Sequence, residues 1–164
     1  VVELRDLGVE HVEDLSHAFA DWPKSRAQFL EYADMVRSAK RDVIVAWSNS
    51  DPIGYLTIAW DSPYPPFAAA SIPEIVDFNV LARHRRRGAG STLMDEAEDR
   101  IARRSDHAGI GVGLYSDYGS AQRMYVKRGY IPDGAGVVLG CRPVAPGTTI
   151  VIDDGPSLMF TKRL

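Results

Sequence analysis

Arg85-Arg86-Arg87-Gly88-Ala89-Gly90 stands between an apolar run, Glu74 to Leu81, and an amphipathic segment, Ser91 to Arg104. It spells R-x-x-G-x-G, and its flanks read as a strand before it and a helix after it. Two glycines let the backbone approach a ligand closely and point successive N–H groups one way. The helix adds the unpaired N–H groups of its first turn and the positive end of its dipole. Three arginines add full charges. A strand, turn and helix of this kind make a pocket for a phosphate or pyrophosphate.

The chain around that turn alternates strands and helices. Val1–Arg5 reads as an edge strand, and Glu10–Phe19 as a short helix through Val12, Leu15 and Phe19. Asp21-Trp22-Pro23 has the form of a helix start, with Asp21 as N-cap and Pro23 in the first turn. That predicts a helix to about Lys40, burying Phe29, Leu30, Ala33, Val36 and Ala39. Asp42–Ser48 and Ile53–Trp60 form a hairpin across Ser48-Asn49-Ser50-Asp51-Pro52. Asp61 to Pro73 is an irregular loop holding four of the ten prolines. Glu74–Leu81 is a strand, and the helix from Ser91 buries Leu93, Met94, Ala97 and Ile101. Its other face, Asp95, Glu96, Glu98, Asp99, Arg100 and Arg103, reads as solvated. Ile110–Tyr115 is a strand broken by glycine. Ser120–Arg128 is a helix closed by Gly129, and strand-like pieces follow at Val137–Leu139, Thr148–Ile152 and Ser157–Thr161. This order predicts a mixed α/β sandwich with a largely antiparallel sheet.

Composition limits the function classes. The chain has 164 residues, 45% hydrophobic and 25% charged, which suits one globular domain spanning residues 1–164. Net charge is −3, so the basic cluster at Arg83–Arg87 is local and a nucleic-acid partner is not expected. One cysteine, Cys141, allows no internal disulfide. The four histidines are scattered and no metal-ligand spacing occurs, so no metal is expected. No apolar run approaches the ~20 residues of a membrane span, and no signal peptide is visible. The expectation is a cytoplasmic protein with no membrane partner.

Two blocks carry a resemblance. Arg85, Gly88 and Gly90 match [QR]-x-x-G-x-[GA]. Ahead of them runs Phe78-Asn79-Val80-Leu81-Ala82-Arg83-His84, close to hydrophobic-x-V-x-P-x-Y, with Ala82 for the proline and His84 for the tyrosine. About thirty residues on, Tyr118 to Tyr130 resembles N-x-x-A-x-x-x-Y-x-x-x-G-[FY], with Ala121, Tyr125, Gly129 and Tyr130 in register and Tyr118 replacing the asparagine. Both blocks, in this order and on these elements, are similar to the GNAT superfamily of acyl-CoA-dependent N-acetyltransferases. A dinucleotide fingerprint would instead read G-x-G-x-x-G and open a parallel βαβ unit.

The resemblance implies a three-layer α/β (α+β) fold, with a central mixed, largely antiparallel sheet of six to seven strands flanked by about four helices. It implies acetyl-CoA as cosubstrate, with the pyrophosphate on backbone N–H groups of Arg85, Arg86, Arg87, Gly88, Ala89, Gly90 and Ser91. The pantetheine arm would pair with the strand end at Phe78, Asn79 and Val80, in the manner of strand addition. Tyr118 and Ala121 would also border the cofactor. Tyr125 matches the tyrosine that protonates the leaving thiolate, and the Val80 N–H would polarise the thioester carbonyl. The amine needs a base, because an amine of pKa about 10.4 is almost wholly protonated at pH 7. Glu74 is the first candidate, at an offset where some protein-lysine acetyltransferases of this family carry their glutamate. Asp77 and a water chain are the alternatives. Asp77 should point to the face opposite Phe78.

The acceptor would be a primary amine on a small molecule or a protein, bordered by Trp22, Tyr64 and Phe67, with Asp153 and Asp154 attracting it. Many relatives are dimers, so a homodimer is compatible with the resemblance. An acyl-CoA-binding sensor of the same fold, without turnover, is the alternative function.

Overall fold

The computed structural model describes residues 1–164. The chain forms eight strands and five α-helices. The fold is mixed α/β, and its pairings are antiparallel at β1/β2, β2/β3, β5/β8, β6/β8 and β6/β7 as the strands are defined below. The chain divides into two compact units, each assembled from two separate segments.

The first unit comprises residues 1–60 and 75–100. Its strands are β1 (Val2–Asp6), β2 (Arg41–Ser48), β3 (Asp51–Ala59) and most of β4 (Glu74–Val80), hydrogen-bonded in that order. Its helices are α1 (Val12–Ala18), α2 (Arg26–Arg37) and most of α4 (Ala89–Ala102). The β2–β3 hairpin turns through Asn49, whose left-handed φ of 57° suits asparagine. Val43, Val45, Trp47 and Tyr55 of the sheet pack with Val12, Leu15, Phe19, Phe29 and Tyr32 of the two helices. Phe19, Phe29 and Tyr55 meet edge to face or tilted, with centroids 5.2 to 6.3 Å apart. Fully burying each such ring contributes roughly 1.5–3 kcal/mol.

The helix expected from Asp21 begins later. Ser25 is the N-cap of α2, and its Oγ accepts the Gln28 N–H at 3.1 Å. Asp21, Trp22 and Pro23 form a turn instead. The helix stops at Arg37, and Ala39 takes a left-handed φ of 57° that leads into β2. The outer face of α4 is less solvated than its charges suggest. Glu98 is buried, and Arg100 is salt-bridged to Asp6, Asp42 and Glu96 at 2.7, 3.0 and 2.7 Å.

The second unit comprises residues 61–74 and 101–164. Its strands run in the order β5 (His107–Gly113), β8 (Ser157–Arg163), β6 (Ile131–Leu139) and β7 (Arg142–Pro143). The strand count is therefore eight rather than six to seven, because the two-residue β7 pairs with the end of β6. Thr148–Ile152, expected as a strand, is irregular. The proline-rich loop holds a five-residue helix, α3 (Pro65–Ala69), and α5 spans Gly119–Lys127 with Gly129 following at φ 93°. Tyr64, Phe67, Val138 and Met159 form this unit's own core cluster.

Candidate active site

The turn sits where the strand–turn–helix reading placed it. After β4, residues Ala82–His84 make one turn of 3-10 helix, and α4 starts at Ala89. Leu81 donates its N–H to the Ile53 carbonyl at 2.9 Å, which fixes where the chain leaves the sheet. Arg86 and Gly88 have φ of 57° and 93°, so the backbone curls through two left-handed residues just before the helix. The glycine at 88 carries no steric penalty there. The first backbone bond of α4 runs from the Thr92 N–H to the Gly88 carbonyl at 3.0 Å. The N–H groups of Ala89, Gly90 and Ser91 therefore belong to the first turn, the part of a helix suited to an anion.

The three arginines are exposed, but they are not equivalent. Arg85 donates from Nε to the Val80 carbonyl at 2.9 Å, and its guanidinium lies 5.9 Å from the Trp22 ring centroid. The motif arginine thus ties the end of β4 to the α1–α2 connection. Arg86 and Arg87 follow it. His84 accepts from Arg83 Nε at 3.1 Å. Burial first, and then the charges of Arg83 and Arg87, lower its pKa below the ordinary imidazole value, so it stays neutral near pH 7.

On β4, Phe78, Asn79 and Val80 are half-buried. Asp77 interrupts the alternation the sequence suggested, because its φ is 54° in mid-strand. Its carboxylate collects Lys24 Nζ and Asn79 Nδ2 (2.8 Å) on Oδ1, and the hydroxyls of Tyr32 (2.9 Å) and Tyr55 (2.8 Å) on Oδ2. Burial pushes the carboxyl up, and the donors, Lys24 above all, overcome it and hold it below the usual carboxylate range. Burial first, and then the same carboxylate, push Tyr32 up to about 12. A carboxylate so engaged is a poor proton acceptor. No periodicity in the sequence pointed to this cluster, since its members lie up to 53 residues apart.

Glu74 is buried, and the Ser62 hydroxyl donates to its Oε2. Ser62 Oγ in turn accepts the Tyr64 N–H at 3.0 Å. The loop before β4 therefore helps to hold the glutamate. Of the residues expected to border an acceptor, Trp22 is half-buried beneath Arg85, and Tyr64 and Phe67 are buried. Tyr64 donates its hydroxyl to Asp133 at 2.7 Å. Phe67 also borders a cavity of about 500 Å³ with Ile72, Asp133 and Thr161.

In the second unit, Tyr125 is 4% exposed on α5. Burial, and then Tyr118, raise its pKa well above that of free tyrosine. Its hydroxyl makes no hydrogen bond within the protein. Tyr118 donates its own hydroxyl to Asp154 Oδ1 at 2.8 Å, beside Tyr115, which donates to the same oxygen at 2.6 Å. The two rings meet edge to face at 5.2 Å. The Tyr118 ring covers Gly113, where a Cβ would come within 2.4 Å of it. That contact explains the glycine at the end of β5. Ala121 is half-buried one turn before Tyr125, and Gln122 ties α5 to β5 through the Gly113 carbonyl at 2.8 Å. Asp153 caps its own turn by accepting the Gly155 N–H at 2.8 Å. Cys141 lies on the β6–β7 turn with a φ of 62°.

A family model for the acetyltransferase (GNAT) family matches residues 9–130. The chain belongs to the GNAT acetyltransferase family. The match takes in both the phosphate-type turn and Tyr125. A search of curated proteins found no match. Among solved structures, the chain is similar to an N-acetyltransferase from Staphylococcus aureus at 13% identity and TM-score 0.74, covering 99% of this chain and 98% of that one. It is also similar to the PaiA N-acetyltransferase of Thermoplasma acidophilum, solved in complex with coenzyme A, at 14% identity and TM-score 0.68, covering 100% and 99%. A third similar structure is NAA60 of Arabidopsis thaliana in complex with acetyl-CoA, at 14% identity and TM-score 0.71, covering 100% and 99%. At these identities the structures establish the GNAT fold. No group of three or more His, Cys, Asp or Glu side chains is arranged to hold a metal ion, and no helix is long and apolar enough to cross a membrane.

Proposed function

We propose that this GNAT acetyltransferase transfers an acetyl group from acetyl-CoA to a primary amine, on a small molecule or a protein, by direct attack in a ternary complex. The observation that carries the proposal is the family match across residues 9–130, which spans the turn and Tyr125 together. The turn's own chemistry supports it, and so do the similar structures that hold coenzyme A or acetyl-CoA.

Acetyl-CoA supplies the activated acyl group. In this reading the first-turn N–H groups of Ala89, Gly90 and Ser91, with Arg86 and Arg87, hold the pyrophosphate. Phe78, Asn79 and Val80 offer strand-end backbone to the amide-rich arm, and the Val80 N–H polarises the thioester carbonyl. Arg85 contributes by holding the Val80 carbonyl. Glu74 takes the proton of the incoming amine, directly or through water. Tyr125 returns a proton to the leaving thiolate. The Tyr118 side chain is oriented by Asp154 and shapes the site through its ring. No covalent enzyme intermediate is needed, in keeping with a lone cysteine that is half-buried against the second unit's core cluster.

A free-thiol assay tests this. Purified protein, acetyl-CoA and a panel of polyamines, aminoglycosides, amino acids and N-terminal peptides should release coenzyme A at a rate that depends on the amine. Acetyl-CoA binding by calorimetry with no thiol release for any amine would point to a sensor instead. Absence of binding at low salt would end both readings.

A further inference from the structure

Three of the four donors on Asp77 belong to the frame of the first unit. Tyr55 is on β3, Tyr32 is on α2, and Asn79 is two residues along β4. The fourth, Lys24, reaches in from the α1–α2 connection, which is neither helix nor strand at that point. Asp77 is the only hydrogen-bonding partner of the Lys24 side chain, while the Lys24 backbone N–H donates to the Trp22 carbonyl at 2.7 Å. An ammonium has three donors, so this one is held at a single point, and its side chain is 16% exposed. The carboxylate, in contrast, is 13% exposed and held from three other sides on a backbone at φ 54°. A non-glycine residue keeps such a conformation only where its surroundings hold it there. The part of the cluster held from several elements is thus an acceptor for an ammonium, and the part held by a single side-chain bond is the ammonium.

We propose that Asp77, Tyr32 and Tyr55 form the ammonium subsite for the acceptor, and that Lys24 is an intramolecular occupant displaced by a primary alkylammonium on an unbranched chain. This rests on the N-acetyltransferase reading and names its substrate class. Asp77 immediately precedes Phe78, and residues along a strand are about 3.3 Å apart. An ammonium at Asp77 therefore sits beside the backbone assigned to the acyl arm. Displacement exchanges one ammonium for another, so no unpaired buried carboxylate is ever left. Lys24 regains side-chain entropy on release. Asn79 shares the Oδ1 atom with the ammonium, which leaves room for a slim –NH₃⁺ head and disfavours substituted amines. Asp77 holds the amine and does not deprotonate it, and that task stays with Glu74 or water.

The probe is Nα-acetyl-lysine amide, whose side chain reproduces Lys24, and Lys24→Met removes the occupant while keeping an unbranched stem. A tethered competitor acts at an effective concentration of roughly millimolar. Its removal should lower the probe's KM at least about tenfold with the acetyl-CoA KM unchanged. The same variant without cofactor should show a larger probe-induced rise in Tm than the wild type. Asp77→Asn should raise the probe's KM at least about tenfold while acetyl-CoA affinity holds. Because Asp77 also supports β4, Tyr32→Phe and Tyr55→Phe serve as gentler variants and should each raise that KM severalfold. An unchanged KM and Tm response in Lys24→Met would overturn the subsite. If acetyl-CoA fails to bind, the enzyme reading falls, and the probe's Tm response in Lys24→Met still decides the subsite on its own.

Discussion

In the proposed function Tyr125 donates a proton from a buried side chain. Free tyrosine near pKa 10 gives its proton to a thiolate of pKa about 8.5 at a cost of roughly 2 kcal/mol. Burial raises the Tyr125 pKa further. The group becomes a weaker acid, but it remains protonated across the whole working range. The expected outcome is a kcat with no alkaline limb from Tyr125 below about pH 10, since its acid form is lost only above the raised pKa. Tyr125→Phe should lower kcat by about 10²-fold or more, with acetyl-CoA affinity within about twofold. Stopped-flow thiol release and calorimetry on the same variant check both halves, and an intact kcat would remove Tyr125 from the chemistry. The place of Tyr125 on a helix was readable in the sequence because its neighbours Ala121, Gly129 and Tyr130 lie within one short block. Asp77 was only half readable. The period-two rule for strands assumes extended backbone, and φ 54° at Asp77 is outside it.

Elements with local signals were legible, and elements set by distant contacts were not. The turn after β4, the hairpin at Asn49 and the glycine closing α5 follow from neighbouring residues alone. The start of α2 does not. Asp21-Trp22-Pro23 and Ser25 both carry helix-start chemistry, and tertiary partners decide between them. Trp22 packs edge-on to Phe19, 5.5 Å between centroids, and Lys24 reaches Asp77, so the helix starts after both. The charged face of α4 was misread for the same reason, because i,i+4 spacing accounts for Glu96–Arg100 but is silent about Asp6 and Asp42. Arg100 is 20% exposed at its side chain. Burial works against its charge, and hydrogen bonds to Glu96, Asp42 and Asp6 outweigh it to hold its pKa above the ordinary value. Arg100→Met should destabilise the protein by about 2 kcal/mol, below the 3–5 kcal/mol of a fully buried pair because these carboxylates keep partial access to water. Urea unfolding would show this as a lower midpoint with an unchanged slope. A loss under about 0.5 kcal/mol would class the cluster with ordinary surface pairs.

The molecule as a whole carries −3 while its ligand in the proposed function is a polyanion, so the attraction has to be local. Arg83, Arg85, Arg86 and Arg87 supply it within five residues. The neutral state of His84 beside them limits their mutual repulsion. Identity of 13–14% to structures of the same fold shows that this architecture is specified by patterning. Alternating apolar strands, capped helices and a left-handed turn suffice, and few particular residues are required. The turn is the exception in the proposed function, because there its N–H groups and charges would be the ligand contacts themselves. Binding there should be visible in global stability. At a concentration of acetyl-CoA one hundred times Kd, the folded state gains about 2.7 kcal/mol. For a chain of this length that corresponds to a rise in Tm of about 5–10 °C. The rise should shrink between 0.05 and about 0.5 M salt, as screening shortens the reach of exposed arginines. Arg86→Ala with Arg87→Ala should remove most of the salt dependence and leave the unliganded Tm unchanged, since both side chains are exposed. Differential scanning fluorimetry across a salt series measures all of these. A rise of full size in the double variant would place the phosphates elsewhere than at this turn.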